Sequence, residues 1–418
     1  MESVIITPNP LNGTVTVPPS KSAAHRNIIC AALCCGVSKI YPSCHSDDID
    51  RTLDCITALG ASVEEKENAF YITGIDRKKA VNKKVTLNCG ESGSTLRFML
   101  PIAAALGANA TFTGAGRLPG RPITPLTDIL KKFGVECSSE TLPLTISGKL
   151  RVGQYQISGN ISSQYLTGLI FAVSVNGGSV KLTTPLQSAG YVDLTVNILK
   201  DFGVNISEKD GVYTASGKFA PMEHLIEGDW SQACFFLAAA ALGGSVNIKG
   251  LCFNSAQGDM SALKYFKMLG ADMNIKDNIL TARESGHKAV SINCSQIPDM
   301  VPALAVTAAL CKGKTKLYGA ERLRIKESDR IKTVVSGLLA MGIEAEELPD
   351  GMIITGGTPK GGIIDGANDH RIVMAFAILA AYSEKETTIL GYKAINKSYP
   401  AFFEDFNLLG GKSKCHQQ

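Results

Sequence analysis

No apolar run in the 418-residue chain reaches 18 residues, so no membrane-spanning helix is expected. The opening MESVIITPNP has no basic segment followed by an apolar stretch, and a secretory leader is not expected either. No two cysteines stand in a CxxC spacing, which removes the usual signature of a zinc site or a thioredoxin-type motif. Excess charge of one sign is also missing. Lys and Arg number 42 against 38 Asp and Glu, a formal net charge of +4 that suggests neither a nucleic-acid arm nor a membrane-binding face. What is present is a composition that is 45% hydrophobic and 19% charged, enough to bury a large core and unlike a disordered polymer. The 12 cysteines, among them Cys30, Cys34, Cys35, Cys55 and Cys234, fall mostly in apolar patterns. They read as small buried hydrophobes of a reducing cytoplasm. The expectation is a soluble cytoplasmic protein.

Two series of helix stops run through the sequence. An apolar residue plus glycine recurs at Gly60, Gly134, Gly203, Gly270, Gly342 and Gly410. Out of phase with it, small-residue helices end at Gly36, Gly107, Gly177, Gly243 and Gly313, and a sixth near Glu384 without glycine. Glycine just past a helix is the usual left-handed cap, so each interval of 66 to 74 residues holds two helices. One unit shows the pattern. CFFLAAAALGG (234–244) is an Ala-rich helix that should be buried all round, and SVNIKGL (245–251) is a strand. DMSALKYFKMLG (259–270) is amphipathic, with Met260, Leu263, Phe266 and Leu269 on one face. ADMNIKDNILTA (271–282) is a hairpin turning at Asp277-Asn278.

Six β-α-β-α-β-β units result. The sixth stops at Gly410 without a hairpin, and SVIITPN (3–9) and GTVTVPP (13–19) are the missing pair, expected beside the C-terminal units. One core of six units would be unusually large, so they divide three and three: residues 1–19 plus 228–418, and residues 20–227. The crossings at Pro18-Pro19 and Glu227-Gly228 read as a hinge between lobes, where ligand sites are common.

Polar residues collect at the entry to the Ala-rich helix. They are Lys21-Ser22 and Arg26, Glu91 to Thr95 and Arg97, Ser162-Ser163-Gln164, Asp229 to Ser231, Asp299, and Asp369-His370-Arg371. Ser and Asp there read readily as N-caps, above all Asp229 and Ser231. Cations do not, because the helix macrodipole disfavours positive charge in the first turns. Lys21, Arg26, Arg97 and Arg371 at one repeat position point instead to a phosphate or carboxylate ligand. GAGRLPGRP (114–122) carries Arg117 and Arg121 on a stiff loop, and RIKESDR (324–330) carries Lys326, Glu327, Asp329 and Arg330 at the expected opening of an amphipathic helix. Lys397 stands in NKSYP (396–400), another loop-to-helix junction.

PSKSAAHRN (19–27), the loop from Gly93 to Arg97, Ser162-Ser163-Gln164, EGDWS (227–231), IPD (297–299), RIKESDR, NDHR (368–371) and NKSYP occur in that order. Together they resemble the 5-enolpyruvylshikimate-3-phosphate synthase family over nearly the whole chain. The resemblance implies an α/β fold, a two-lobed inside-out α/β barrel of six βαβαββ units with three per domain. It implies enolpyruvyl transfer from phosphoenolpyruvate to the 5-hydroxyl of shikimate 3-phosphate, in aromatic amino-acid biosynthesis, with no metal or organic cofactor. Lys21, Gly93, Arg97, Arg121, Gln164, Arg330, Arg371 and Lys397 would contact phosphoenolpyruvate, and residues 228–418 with 1–19 would be the donor-side lobe. Lys21, Ser22, Arg26, Ser162, Ser163, Gln164, Ser188, Tyr191, Asp299 and Lys326 would hold shikimate 3-phosphate, mainly on the 20–227 lobe. The sequence departs from the family at Glu91, where asparagine is common, putting negative charge near an anion, and at Arg322, to which no role is carried.

Several anionic groups of two substrates repel each other in water, and a dry cleft of Lys and Arg removes that penalty. Asp299 and Glu327 are the carboxylates available for proton transfer, with Lys21 as an alternative donor. The related transferase acting on UDP-N-acetylglucosamine carries a cysteine in its mobile loop, and GAGRLPGRP has none. A two-lobed anion-binding protein without chemistry would explain the cations but not Asp299, Glu327 and His370 beside them. The expected molecule is a monomer with no nucleic-acid or membrane partner. Because the anchoring residues come from both lobes, shikimate 3-phosphate should close them. Small-angle scattering is expected to record a more compact particle with the ligand, and identical profiles would count against closure.

Overall fold

A computed structural model of the chain describes residues 2–416. It divides into two compact units, Met1–Ser20 with Glu227–Gln418, and Lys21–Ile226. Each contains three four-stranded sheets of one topology. In the sheet built from Ser291–Asn293, Lys314–Tyr318, Ala345–Leu348 and Gly351–Thr355, the first two strands are parallel. The fourth lies antiparallel between the second and the third. The parallel pair requires a crossover, which the Ala-rich helix supplies, and the last two strands form the hairpin.

The helix patterns produce the burial expected of them. In Trp230–Leu242 every residue is buried, so CFFLAAAAL has no solvent face. Lys21–Leu33, Gly93–Leu106, Ser163–Asn176, Val301–Ala308 and His370–Ala380 are its equivalents, almost wholly buried. The second helix of each repeat is two-faced. Ala262–Leu269 buries Ala262, Phe266 and Leu269 and leaves Lys264 and Lys267 exposed. The stop glycines have positive φ, as at Gly60 (115°) and Gly107 (76°), where their N–H groups close the last helical turn. The hairpin 271–284 turns at Asp277 (φ 51°) and Asn278 (φ 58°), the pair of left-handed residues that matches strand twist. Seven of the 12 cysteines are buried and all are free thiols. Among the described residues no helix is long and apolar enough to cross a membrane.

Chain closure differs from the sequence expectation. The sixth repeat does not stop at Gly410, because Lys412–His416 forms its last strand. Ser3–Thr7 lies between that strand and Thr387–Leu390, antiparallel to both. The second N-terminal strand, Asn12–Thr16, does not accompany it. It joins Ser245–Lys249 in parallel as the first strand of the fourth repeat's sheet. Glu223–Leu225, which leads into the fourth Ala-rich helix, pairs in parallel with Val37–Tyr41 of the first repeat. The two leading strands have thus exchanged sheets. Parallel pairing needs a partner far away in sequence, so periodicity reveals that a strand exists but not where it goes.

Ile6 is fully buried on the strand that holds the sixth sheet together. Ile6→Ala is expected to cost about 2–5 kcal/mol, measured as a lower urea midpoint of unfolding. An unchanged midpoint would show that this strand is not built into the core.

Candidate active site

In the unit Lys21–Ile226 the predicted residues gather at the entries of three buried helices. Ser92 caps Gly93–Leu106 by accepting from Thr95 N, and Ser162 caps Ser163–Asn176 by accepting from Gln164 N. Gln164 then donates Nε2 to Ser94 Oγ at 3.0 Å, joining the second and third entries. Gly93 has a steric reason. A Cβ there would stand 2.6 Å from Arg97 Nη1 and 2.9 Å from Arg121 Nη1, so the missing side chain lets two guanidinium groups close on one backbone position. Arg97 donates Nη2 to Pro122 O at 3.1 Å and lies over the Tyr165 ring, whose hydroxyl donates to the same carbonyl. Two buried cations facing one helix entry make a site for an anion.

Lys21 is the first residue of its helix and pairs with Asp48 at 2.6 Å. Asp48 escaped the sequence reading; it sits in the acidic first turn of Asp47–Leu59, where Ser46 is the cap and acids are common. Beneath this pair runs a buried chain of hydrogen bonds, His25 Nδ1 to Thr52 Oγ1, Thr52 to Thr95 Oγ1, and Thr95 to Ser92 Oγ, each 2.7 or 2.8 Å. Burial, and then the charges of Lys21 and Arg26, hold His25 well below its ordinary value, so it is a neutral spacer.

Arg26 donates to Ser22 O at 2.6 Å, Tyr191 O at 2.9 Å and Thr195 Oγ1 at 2.7 Å. Burial lowers it to about 10, with Tyr191 opposing, and it stays charged at neutral pH. Ser188, in the left-handed conformation (φ 57°), precedes the helix Ala189–Asp201 that carries Tyr191. Ser22, Arg26, Ser188 and Tyr191 therefore form one group. Thr195 was missed because a mid-helix threonine carries no sequence signal.

In the other unit the centre is Arg330, whose side chain is 1% exposed. It donates Nε to Asp369 at 2.8 Å, Nη1 to Asp299 at 2.9 Å and Nη2 to Glu327 at 2.8 Å. Arg371 reaches Asp299 through its carbonyl (3.0 Å) and its carboxylate (3.4 Å), and Lys326 stands 3.7 Å from the same carboxylate. Lys397 donates to Asn368 O at 2.6 Å, and His370 is buried beside Arg371. Asp299, Lys326, Glu327, Arg330, Arg371 and Lys397 are thus one constellation. Asp369 holds it together: fully buried, it accepts from Arg330, Ser328 Oγ and Arg371 N. The sequence identified it only as a cap.

RIKESDR differs from expectation. It does not open the helix, which begins at Arg330 with Asp329 as cap; Glu321–Ile325 is a short 3-10 segment and Lys326 is extended. Asp329 accepts from Lys332 N at the helix start; before it, Lys326 stands near Asp299, while Arg324 pairs with Asp329 and Glu347. Asp229 is a cap, as read, but Ser231 is not and instead donates to Asp259. Burial, with the charge of Asp299, pushes Asp259 up to about 6. Arg322 donates to Ser295 O at 2.6 Å.

Burial alone would raise Asp299, but Arg371, Lys326 and Arg330 outweigh it and hold the carboxyl well below the ordinary value. The arrangement can bind anions and, once they compete for the cations, move protons.

Buried helix entries furnished with hydroxyls, amides and cations are the working parts of an enzyme class that handles small polyanions. The fold is shared with the enolpyruvyl transferase NikO from Streptomyces tendae, with a TM-score of 0.77, 16% identity and coverage of 100% and 99% of the two chains. It also matches an EPSP synthase from Acinetobacter baumannii, with a TM-score of 0.84, 26% identity and full coverage of both chains. The family model of EPSP synthase (3-phosphoshikimate 1-carboxyvinyltransferase) matches residues 5–406. Proteins named 3-phosphoshikimate 1-carboxyvinyltransferase from Clostridium novyi and Clostridium kluyveri are 40% and 41% identical, covering 98% and 99% of this chain and 98% of each relative. The chain belongs to the EPSP synthase family.

Asp299's depressed value has a consequence for stability. Its ionised form stabilises the fold above the unfolded-state value near 4, and that contribution is lost as pH falls through the lowered folded value. Asp299→Asn is expected to lower stability at pH 7 and to flatten its decline below about pH 4, read from urea unfolding at several pH values. Parallel acid limbs for the two proteins would show that the cations do not hold this charge.

Proposed function

We propose that the chain transfers the enolpyruvyl group of phosphoenolpyruvate to the 5-hydroxyl of shikimate 3-phosphate and releases phosphate. The observation that carries the mechanism is the single guanidinium of Arg330 shared by Asp299, Glu327 and Asp369, with Arg371 and Lys326 on Asp299. In this reading Gly93, Arg97, Arg121, Gln164, Arg330, Arg371, Lys397 and Lys21 receive the donor's phosphate and carboxylate. Lys21, Ser22, Arg26, Ser162, Ser163, Gln164, Ser188, Tyr191, Asp299 and Lys326 receive the acceptor. The unit that holds Arg330 is the donor-side lobe in this reading, and Lys21–Ile226 is the acceptor-side lobe.

In addition, the acceptor oxygen bonds to C2 of the donor alkene while its proton leaves to a base and C3 gains a proton. In elimination the C2–O bond to phosphate breaks, C3 loses a proton, and the alkene re-forms. Asp299 is the base and Glu327 the acid, with Lys21 as the alternative acid. Held by three cations, Asp299 is a weak base. Donor anions that draw Arg330, Arg371 and Lys326 towards themselves raise its proton affinity, so the base strengthens when the substrate is in place. Glu327, released by Arg330, is placed to supply the proton that C3 requires. The reading includes action in the cytoplasm, as a monomer, without metal or organic cofactor.

Phosphate release is expected with phosphoenolpyruvate and shikimate 3-phosphate together, and not with UDP-N-acetylglucosamine as acceptor. Asp299→Ala should lower kcat by about 10²–10⁴-fold and weaken acceptor binding far less. A near-normal kcat would overturn the base role.

A further inference from the structure

The Glu91 carboxylate points at the arginine-bearing loop. Gly116 (φ 56°) has no room for a side chain because Glu91 occupies the space: an added Cβ would collide with its Cδ and both carboxylate oxygens. The ends of the loop are anchored by other means. Ala115 N donates to Gly90 O at 2.7 Å, and Leu118 is buried. At the far end Pro122 O accepts from Arg97 and Tyr165. Between these anchors Gly116 and Arg117 are exposed, and Glu91 reaches that middle stretch. Four residues after Arg117 comes Arg121, whose guanidinium closes against Gly93, two residues from Glu91.

We propose that Glu91 is a positioning residue: seated on the Gly116 backbone, its carboxylate latches the loop Gly114–Arg121 to the entry of the helix Gly93–Leu106 and so fixes Arg121 at the anion site. The negative charge that the sequence sets beside an anion is directed to the loop rather than to the ligand. Arg121 follows the short 3-10 turn Leu118–Gly120, whose Gly120 N donates to Arg117 O, so a shift of the middle stretch would carry to it, and a misplacement of about 1 Å weakens a positioned contact severely. Gly116 and Glu91 are a matched pair, since a side chain at 116 would displace the carboxylate. The proposal rests on the reading that Arg121 receives the donor.

The test compares Glu91→Ala, Glu91→Gln, Gly116→Ala and the double variant Glu91→Ala/Gly116→Ala, with Arg121→Met as the control. Glu91→Ala is expected to raise the KM for phosphoenolpyruvate about tenfold or more, with a much smaller change in kcat and in the KM for shikimate 3-phosphate. Amide exchange over residues 115–121 should accelerate, and Glu91→Gln, which keeps the shape, should restore most of both. Gly116→Ala should be less harmful in the Glu91→Ala background than alone. A simple repulsive role for Glu91 predicts the reverse, a lower KM for both Glu91 variants, and that result would overturn the proposal. Unaltered exchange in Glu91→Ala would overturn it too, whatever the kinetics. If Arg121→Met leaves the donor KM unchanged while Glu91→Ala still frees the loop, the latch stands and the donor role of Arg121 falls.

Discussion

Positive charge at the start of a buried helix is the constraint around which the rest of the molecule is arranged. The macrodipole opposes it, burial opposes it, and neighbouring cations oppose each other. Each cation therefore has a built counterweight. Lys21 has Asp48, Arg330 has three carboxylates, and Arg26 is surrounded by oxygens of Ser22, Tyr191 and Thr195. Arg97 and Arg121 meet at Gly93, where the chain has given up a side chain to admit them. These partners keep the charges in place and leave them able to exchange one anion for another, which a site for polyanionic substrates requires.

The scaffold makes such placement affordable by repetition. A βαβαββ unit buries one helix completely and directs its entry to the same place each time. The hydroxyl chain from His25 through Thr52 and Thr95 to Ser92 shows how closely two entries are tied, since every link lies in the core. A protonated His25 would break the pattern, and burial beside Lys21 and Arg26 keeps it neutral. Asp299 and Glu327 instead lie at the partly exposed margin of their cluster, at 19% each.

The periodic elements were legible because their causes are local. Stop glycines, the all-apolar CFFLAAAAL run and the Asp277-Asn278 turn depend on backbone conformation and on faces a few residues apart. The cations at the helix entries stood out for the same reason: their position conflicts with a local rule. The roles of Asp48, Asp369 and Thr195 were not legible. An acid in a first turn or a mid-helix threonine is ordinary by any local rule, and only a neighbour from another repeat gives it a task.

The sequence by itself determined the repeat, the buried helices and most of the residues that carry charge to their entries, because periodicity and helix polarity act over a few residues. Tertiary structure alone decided that Asn12–Thr16 and Glu223–Leu225 exchange sheets, that Ser3–Thr7 lies inside the sixth sheet, and that one guanidinium is shared by three carboxylates. Strand pairing and buried ion pairs join residues that are distant in sequence. Their free energy depends on desolvation and geometry that exist only once the chain has folded.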